Sequence, residues 1–357
     1  MWDVVVIGTG LSGLTAAQIL VQRGYTVLVL EKSRGVGGRL ATRRVNGTVL
    51  DHGCPFLEPL GPYQSGLIDQ GLAAGLLQPW NPAVYDLRAK HLYPRPATGS
   101  YYTARAGLSV LAKQLAVGLR VEKQAQVKEI TALDRGWQID LINPGLEPLR
   151  ARLVVMAIPA PQISPLITQM ETTLAEIRDL QTQLEQVCFI PILTVMAGYA
   201  ANLGMAISPS GATPELTHGW VIWGDDQSDL AWMTLDSSKR QDPCEPVVVI
   251  HSQASFARSY LEQTDLTPAG HQLLTQGSQV VGAWIANPAW MQVHRWRYGQ
   301  VSEPLPGLLL KTDKLPSLVG CGDWCGGGGV EAAIASGERA GTWITEVLDS
   351  KDALLTE

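Results

Sequence analysis

Three glycines near the N-terminus have the spacing of a phosphate-binding loop. Gly8, Gly10 and Gly13 form the pattern G-x-G-x-x-G directly after the apolar run 4–7. The first glycine permits a tight turn, the second lets the backbone approach a pyrophosphate, and the third allows a strand and a helix to pack closely. The free N–H groups at the start of the following helix favour a phosphate. A tight turn that binds no ligand would explain the same three glycines.

An acidic residue follows where the ribose of a bound adenosine would lie. Glu31 ends the second apolar run, 27–30, and stands 18 residues after Gly13. A carboxylate at this place can accept hydrogen bonds from both ribose hydroxyls, and its charge disfavours a 2′-phosphate. The pattern therefore predicts a nucleotide site with an unphosphorylated adenosine ribose, not that of a tightly bound NADP.

A second glycine-rich segment, Gly35 to Arg39, follows the acidic residue. A dinucleotide that only visits the protein needs no second loop, whereas a resident FAD has a ribityl chain and an isoalloxazine ring to accommodate. The backbone N–H groups of Gly37, Gly38 and Arg39 can lie against these parts, and the arginine can pair with a phosphate or with the flavin edge. The alternatives are a flexible surface loop and a solvated arginine.

The C-terminal part repeats the combination of a strand, glycines and a helix. Gly322 and Asp323 follow a short predicted strand, and glycines 326–329 lead into a predicted helix over 330–348. Asp323 can accept a ribityl hydroxyl, and the helix N-terminus would stabilise an anionic reduced flavin by ~1 kcal/mol. Small residues let this helix pack tightly on the first strand-helix-strand unit: Ala332, Ala333, Ala335 and Gly337. Both ends of the chain together predict non-covalent FAD.

These loops need a parallel sheet to position them. The runs 4–7 and 27–30 read as buried strands and 14–23 as the helix between them, because right-handed crossovers make such strands parallel neighbours. Prolines in 55–100 indicate loops and short strands, and 188–300 resembles an antiparallel sheet with one covering helix. The remaining elements are helices at 107–119 and 165–187, and strands at 119–121, 127–133, 137–142, 153–158 and 317–320.

Composition restricts the class of protein. A chain of 357 residues, 46% apolar and 17% charged, predicts a globular protein with two domains. A net charge of -6 argues against nucleic acid as a partner. Five cysteines without a repeated spacing argue against a disulfide framework and favour a reducing, cytoplasmic location. Without any uninterrupted apolar run of about 18 residues, a transmembrane helix is not expected.

Several segments resemble the flavin-containing amine oxidase superfamily: IGTGLSGLTAAQIL, VLEKSRGVGGR, DHGCPF, VVMAIPAPQ and GCGDWCGGGGVEAAIASG. Three resemble its renalase branch: ATRR, MAIPAPQ and VHRWRY at 293–298. The resemblance implies an α/β fold of the p-hydroxybenzoate-hydroxylase type. Its Rossmann-like FAD-binding domain would comprise 1–60, 101–164 and 305–357, and its mixed α+β substrate domain 61–100 and 165–304.

The resemblance also implies an activity. Renalase-like enzymes oxidise isomeric dihydropyridine forms of NAD(P) by hydride transfer to flavin N5, and O2 then reoxidises the flavin to give hydrogen peroxide. A nicotinamide dinucleotide would thus be the substrate, bound beside the FAD. The resemblance further places the backbone of Val127 against the adenine. The predicted cofactor-binding residues are Gly8, Gly10, Leu11, Ser12, Gly13, Glu31, Lys32, Gly37, Gly38, Arg39, Asp51, Val127, Gly322, Asp323, Val330, Glu331 and Ala332.

Aromatic and basic residues of the second half are candidates for the substrate site, although no catalytic residue is identified. Tryptophans there could wall a flat ring over the flavin, but ordinary core packing explains each of them as well. His294, Arg295 and Arg297 could bind phosphates or a carboxamide, or form a salt-bridged strand edge. Alternation along a strand would separate the two arginines from His294 and Trp296. The candidates are His294, Arg295, Trp296, Arg297, Trp223 and Trp284.

Two other functions stay open from the sequence. An amine oxidase would keep the same flavin and would normally place a lysine near N5, and Lys311 and Lys314 precede the final strand. A non-catalytic nucleotide-fold binding protein is the second alternative, against which the intact flavin motifs argue. No metal site is expected, because the six histidines form neither H-x-x-x-H nor H-E-x-x-H, and Cys321 and Cys325 are spaced C-x-x-x-C.

Overall fold

Two β-sheets form the framework of the chain, which is described from a computed structural model over residues 1–96, 99–142, 147–167, 175–201, 219–311 and 318–354. The helices are α1 (Leu11–Gln22), α2 (Pro62–Ala73), α3 (Ser109–Leu115), α4 (Ala160–Ile167), α5 (Ala175–Glu185), α6 (Ala254–Ser259), α7 (Thr267–Val280) and α8 (Gly329–Leu354). The strands are β1 (Trp2–Ile7), β2 (Val27–Glu31), β3 (Thr42–Val45), β4 (Thr48–Asp51), β5 (Gln78–Trp80), β6 (Ala83–Arg88), β7 (His91–Pro94), β8 (Tyr101–Thr103), β9 (Arg120–Lys123), β10 (Val127–Leu133), β11 (Gly136–Leu141), β12 (Leu149–Met156), β13 (Cys188–Gly198), β14 (Trp220–Trp223), β15 (Leu230–Leu235), β16 (Val247–Ser252), β17 (Trp290–Glu303), β18 (Leu310–Lys311) and β19 (Leu318–Gly320).

The first sheet contains the N-terminal unit that the sequence predicts. Its order is β10-β11-β12-β1-β2-β9, with β19 paired to β12 and β18 to β19. β1 runs parallel to β2 and β12, and Val5 faces Leu28 and Val154 in the register. These strands are continuous apolar runs because helices cover both faces of the sheet. The Rossmann-like α/β architecture is therefore confirmed.

Helix α8 closes the sheet against α1, as the small residues predict. A Cβ added at Gly337 would lie 2.3 Å from the carbonyl oxygen of Ser12, so no larger residue fits between the helices. Gly341 is nearly as tight, at 3.0 Å from Cβ of Ile19. The C-terminal segment is thereby held against the N-terminal glycine loop.

The second sheet carries the aromatic residues of the candidate substrate site. Its order is β17-β13-β16-β15-β14-β6-β7, and every pair is antiparallel except β14 with β6. Phe256 of α6 and Leu273 of α7 are both buried in its core, so two helices contribute where the sequence predicts one. The antiparallel pairing predicted for 188–300 is confirmed, and the parallel pair is made by β6, which comes from the segment before residue 100.

Two helices differ from the sequence-based layout. α2 lies within the segment 55–100, which was expected to contain only loops and short strands, and Leu67 packs with Leu11 and Leu108. α5 packs on the first sheet, since Leu180 shares a buried cluster with Val5. Residues 62–73 therefore pack against the helices of the first sheet and residues 175–185 against the sheet itself, although the predicted boundaries assign both to the substrate domain. Within the described ranges, no helix combines the length and the hydropathy needed to cross a bilayer.

Candidate active site between the two sheets

One continuous cavity of about 2090 Å³ extends from the carboxyl ends of β1 and β2 to the inner face of the second sheet. Ligand pockets typically measure ~300–1,000 Å³, so this cavity has room for a large cofactor together with a second molecule. Glu31 lies at one end of it and Trp223 at the other. The two ends are called here the adenosine end and the substrate end.

The first glycine loop has the conformation that a phosphate site needs. Gly8 has φ 108°, and a Cβ there would lie 2.4 Å from the carbonyl oxygen of Ala157. At Gly10 a Cβ would meet no protein atom within 4 Å and would project beside the cavity, which Gly10 lines. The residues present thus fit a pyrophosphate, because the backbone is bare where a phosphate would approach.

Glu31 is fixed at the end of β2 by its own loop. Its Oε2 accepts hydrogen bonds from the backbone N–H (3.1 Å) and the hydroxyl (2.5 Å) of Thr9, and its Oε1 accepts from the N–H of Ser33 (2.8 Å). A carboxylate has about four lone-pair sites, so one remains free on Oε1. The carboxylate can therefore hold a ribose while it ties β2 to the glycine loop.

The second glycine loop and the C-terminal Gly-Asp meet directly. Arg39 donates from Nη1 to Oδ2 of Asp323 (2.7 Å) and from Nη2 to Oδ1 (2.6 Å). Gly37 has φ 115° and Gly38 φ 53°, in the left-handed region that favours glycine. At Gly37 a Cβ would also lie 3.0 Å from Cβ of Ala112, so this position favours glycine for its conformation and for its space.

The cavity brings most of the predicted cofactor contacts together. The lining contains Gly8, Gly10, Leu11, Ser12, Glu31, Lys32, Gly37, Gly38, Arg39, Val127, Gly322, Asp323 and Val330. These groups supply bare backbone, a helix N-terminus and one carboxylate at the adenosine end. They could hold the ribose, pyrophosphate and ribityl parts of an FAD.

Four predicted cofactor contacts lie outside this lining. Gly13 serves packing, because its Cβ would lie 2.2 Å from the carbonyl oxygen of Gly8. Asp51 is fully buried and paired with Arg240 at 3.0 Å. Glu331 accepts hydrogen bonds from N–H groups at the start of α2. Ala332 is buried within α8. The sequence could not separate these roles, because each residue adjoins one that does line the cavity.

A cluster of rings forms the wall of the substrate end. His294 and Trp296 project from the same face of β17, and their ring centroids are 4.4 Å apart. The ring of His52 lies 5.0 Å from His294 and stacks on Trp296 at 5.4 Å. Trp296 Nε1 (3.1 Å) and His251 Nε2 (3.2 Å) both bond to the carbonyl oxygen of His52. The loop after β4 is thereby attached to the second sheet.

The three imidazoles of this wall are held neutral. Burial lowers the pKa of His52 and of His251 to about 3 and that of His294 to about 4. The positive charge of Arg43 lowers the pKa of His52 and His294 further. Neutral imidazoles offer both an N–H donor and a lone pair at ordinary pH.

The predicted tryptophans separate into two groups. Trp223 lines the cavity, 6.4 Å from the ring of Phe56. Trp284 does not line it but packs on the opposite side of the second sheet, 4.7 Å from the ring of Tyr199. The prediction of Trp284 as a substrate-facing residue is therefore wrong, because the 3₁₀ turn after α7 directs it into the core.

Arg295 and Arg297 reach the cavity rim from the other face of β17. Arg295 Nη1 donates to the carbonyl oxygens of Leu261 (2.5 Å) and Gln263 (2.8 Å). Arg297 forms an exposed pair with Glu262 at 2.5 Å. Alternation along the strand thus separates both arginines from His294 and Trp296, as expected. Arg297 therefore matches the alternative interpretation, a strand edge with a salt bridge.

A group of charged residues is buried behind the cavity wall, and the sequence did not predict it. Lys239 is fully buried, and its Nζ donates to Asp236 (2.6 Å) and to the carbonyl oxygen of Pro55 (2.7 Å). Arg240 bridges Asp236 and Asp51 at 3.0 Å each. The network ties β4 and the following loop, 52–56, to the second sheet. The only signal in the sequence is the short run Asp236-Ser-Ser-Lys-Arg240, which resembles a solvated turn.

Solved structures with this fold include two oxidases. Cyclohexylamine oxidase from Brevibacterium oxydans IH-35A has a TM-score of 0.73 at 15% identity, covering 98% of this chain and 99% of that one. Wild-type putrescine oxidase bound to putrescine has a TM-score of 0.72 at 15% identity, covering 97% and 99%. At this identity the likeness establishes the fold.

Curated relatives match in shorter segments. Putrescine oxidase of Kocuria rosea is 43% identical over 68 residues, 19% of this chain and 14% of that protein. Amine oxidase A of Sus scrofa is 44% identical over 77 residues, 21% of this chain and 14% of that one. L-amino-acid oxidase of Echis ocellatus is 55% identical over 42 residues, 12% and 8%. These matches span only a small part of the relatives' length.

Two family models match the chain itself. A model for an NAD(P)-binding Rossmann-like domain matches residues 6–67, which contain both glycine loops. A model for flavin containing amine oxidoreductase matches residues 89–342. Because this second match spans more than half of the chain, the protein belongs to the flavin-containing amine oxidoreductase family, whose cofactor is FAD.

Proposed function

We propose that this protein is an FAD-dependent oxidase that removes a hydride from a carbon bonded to nitrogen in a small amine. The observation that supports it is the single cavity, in which the cofactor-type contacts around Glu31 and Asp323 continue into the ring wall of Trp223 and Trp296. The family and the amine-oxidising relatives support an amine as the substrate. FAD, when bound, accepts the hydride, and O2 then takes the electrons to give hydrogen peroxide.

The chain's own residues would orient the amine. Trp223, Trp232 and Trp296 line the substrate end and exclude water from it. An amine must be neutral to lose a hydride, so the substrate would bind as the free amine, and a ring nitrogen of the neutral imidazole of His294 can accept a hydrogen bond from its N–H. Aromatic walls hold a substrate in one orientation, which is what hydride transfer requires.

Lysine placement favours a second candidate. Among the described residues, the lysines that line the cavity lie at its adenosine end: Lys32, Lys113, Lys123 and Lys128. Lys311 instead lies over the ring of Trp343 of α8, with Nζ 5.3 Å from the centroid, and Lys314 falls outside the described residues. A renalase-like enzyme needs no such lysine, because a dihydropyridine is already electron-rich. The second candidate is thus oxidation of isomeric dihydropyridine forms of NAD(P).

Anaerobic reduction distinguishes the two candidates. The holoprotein is mixed, without oxygen, with a panel of primary amines and diamines, and separately with α-NAD(P)H and 2- and 6-dihydro-NAD(P). Bleaching of the flavin by an amine alone supports the proposed function, and bleaching by a dihydropyridine alone supports the second candidate. A holoprotein that neither class bleaches contradicts both and favours a non-catalytic binding protein. Ordinary NAD(P)H is the control for unspecific reduction.

A further inference from the structure

Among the described residues of the substrate end, three buried side-chain atoms have no hydrogen-bond partner: Nε of Arg43, Nδ1 of His52 and Nε1 of Trp223. All three residues line the cavity, and His52 is only 5% exposed. Leaving a buried polar atom without a partner costs roughly 1–3 kcal/mol. Such atoms in the wall of a cavity indicate a ligand that completes them.

At the substrate end of the cavity, the negative side chains of the lining do not neutralise the positive ones. Glu31 is bound by its own loop, and Asp323 is paired with Arg39. The third acidic residue of the lining, Glu58, lies in the field of Arg95. Arg43, in contrast, forms no ion pair within the part of the chain that the structure describes. The guanidinium of Arg43 therefore adds a positive charge that no described carboxylate neutralises.

The imidazoles beside Arg43 add donors without adding negative charge. The rings of His52 and His294 are 5.0 Å apart, and both residues line the same cavity as Arg43. A neutral imidazole keeps one N–H group. Together the three residues present a guanidinium and two N–H donors to the same part of the cavity.

We propose that the substrate carries an acidic group, a carboxylate or a phosphate, which binds to Arg43 and the imidazoles of His52 and His294. This inference rests on the proposed function, since it takes the cavity as the substrate site. A guanidinium binds either group through two parallel hydrogen bonds. The contact would fix the orientation in which the C–N bond meets the flavin. A carboxylate would belong to an amino-acid-like amine, and a phosphate to a dinucleotide.

Binding to the oxidised holoprotein tests the proposal without any turnover. The dissociation constants of benzoate, phenyl phosphate and the neutral isostere benzamide are measured from the change in the flavin spectrum and by calorimetry. We expect the better of the two anions to bind about tenfold more tightly than benzamide, the usual effect of one charge-assisted contact. Preference for benzoate indicates a carboxylate, and preference for phenyl phosphate a dinucleotide. Equal binding of all three, or no binding, overturns the proposal.

Arg88, at the end of β6, supplies a control outside the cavity lining. Its exposed side chain pairs with Asp86 at 3.1 Å. Arg43→Gln should abolish the preference for an anion, Arg43→Lys should keep part of it, and Arg88→Gln should leave it within about twofold. An Arg43→Gln protein that keeps its flavin and its preference overturns the proposal.

A second variant tests the proposal if the Arg43→Gln protein loses its flavin. His294→Phe removes one donor but keeps an aromatic ring, and the preference should fall about threefold. An unchanged preference in His294→Phe then counts against the site. A failure of the proposed function gives a different result. In that case benzoate still binds to the holoprotein, but neither amines nor dihydropyridines bleach its flavin.

Discussion

Arg39 and Asp323, 284 residues apart, form a bidentate ion pair with N–O distances of 2.7 and 2.6 Å. The carboxylate side chain is only 4% exposed, whereas the guanidinium side chain is 33% exposed. The pair connects the second glycine loop to the Gly-Asp turn before α8. Both ends of the chain therefore contribute to one continuous part of the cavity wall.

Removing one partner should loosen this surface. For Arg39→Gln we expect the free energy of unfolding to fall by roughly 1.5–3 kcal/mol, because a charge-assisted pair is lost and Asp323 stays buried. The ratio of flavin to protein after purification should fall as well. Arg88→Gln, which removes the exposed pair with Asp86, should change stability by less than ~1 kcal/mol. Urea unfolding of both variants gives the comparison, and equal effects would contradict the structural role of the pair.

Alanine substitutions at Gly13 and Gly10 of the first loop should have different effects, the first on stability and the second on FAD binding. Gly13→Ala places a Cβ 2.2 Å from the carbonyl oxygen of Gly8 and should destabilise the fold by ~3 kcal/mol. Gly10→Ala meets no protein atom, so the fold should persist while FAD binds about tenfold more weakly. Gly66→Ala in α2, also without a contact within 4 Å, is the control. Thermal unfolding with and without FAD separates the cases, and normal FAD affinity in Gly10→Ala would show that the pyrophosphate lies elsewhere.

Substitution of Trp223 should weaken substrate binding, whereas substitution of Trp284 should lower stability. Trp223→Leu removes part of the cavity wall, so KM for the reducing substrate should rise about tenfold with little loss of stability. Trp284→Leu removes a ring packed on Tyr199 and should lower the free energy of unfolding by ~2 kcal/mol without changing KM. Steady-state kinetics and urea titrations of both variants provide the test. A higher KM for Trp284→Leu would show that Trp284 belongs to the substrate site.

Acid should destabilise the protein through its buried imidazoles. Burial lowers the pKa of His251 to about 3, whereas an exposed histidine in the unfolded chain titrates near 6.5. Below about pH 6.5 the unfolded state binds more protons, so stability is complete above this pH and is lost as the pH falls toward 3. Between about pH 7.5 and about pH 5 this group should cost roughly 2 kcal/mol.

Substitution tests the source of that pH dependence. His251→Gln keeps a donor for the carbonyl oxygen of His52 but cannot titrate, so the loss of stability on acidification should shrink. His271→Gln, at an exposed position of α7, should leave the pH dependence as in the wild type. Chemical denaturation at the two pH values measures each difference, and an identical pH dependence in all three proteins would rule out His251 as the cause.

Local pattern was sufficient to predict the glycine loops at the adenosine end of the cavity. The spacing of Gly8, Gly10 and Glu31 predicts the loop, the parallel strands and the ribose carboxylate, because a glycine turn between a strand and a helix is specified by residues close in sequence. The same holds for Gly37 and Asp323. The helix α2 escaped prediction because its Pro62 and weak apolar pattern resemble those of a loop.

The substrate end depends on contacts that no local pattern specifies. His52 and His294 approach one another only when the hairpin β3–β4 packs against the second sheet, and the direction of Trp284 depends on the 3₁₀ turn that contains it. Lys239 resembles a surface lysine in sequence, yet tertiary packing buries it against Asp236 and Pro55. The sequence by itself therefore determined the fold class and the cofactor. Only the tertiary structure decided which side chains meet the substrate, because pairing between strands far apart in sequence sets their positions.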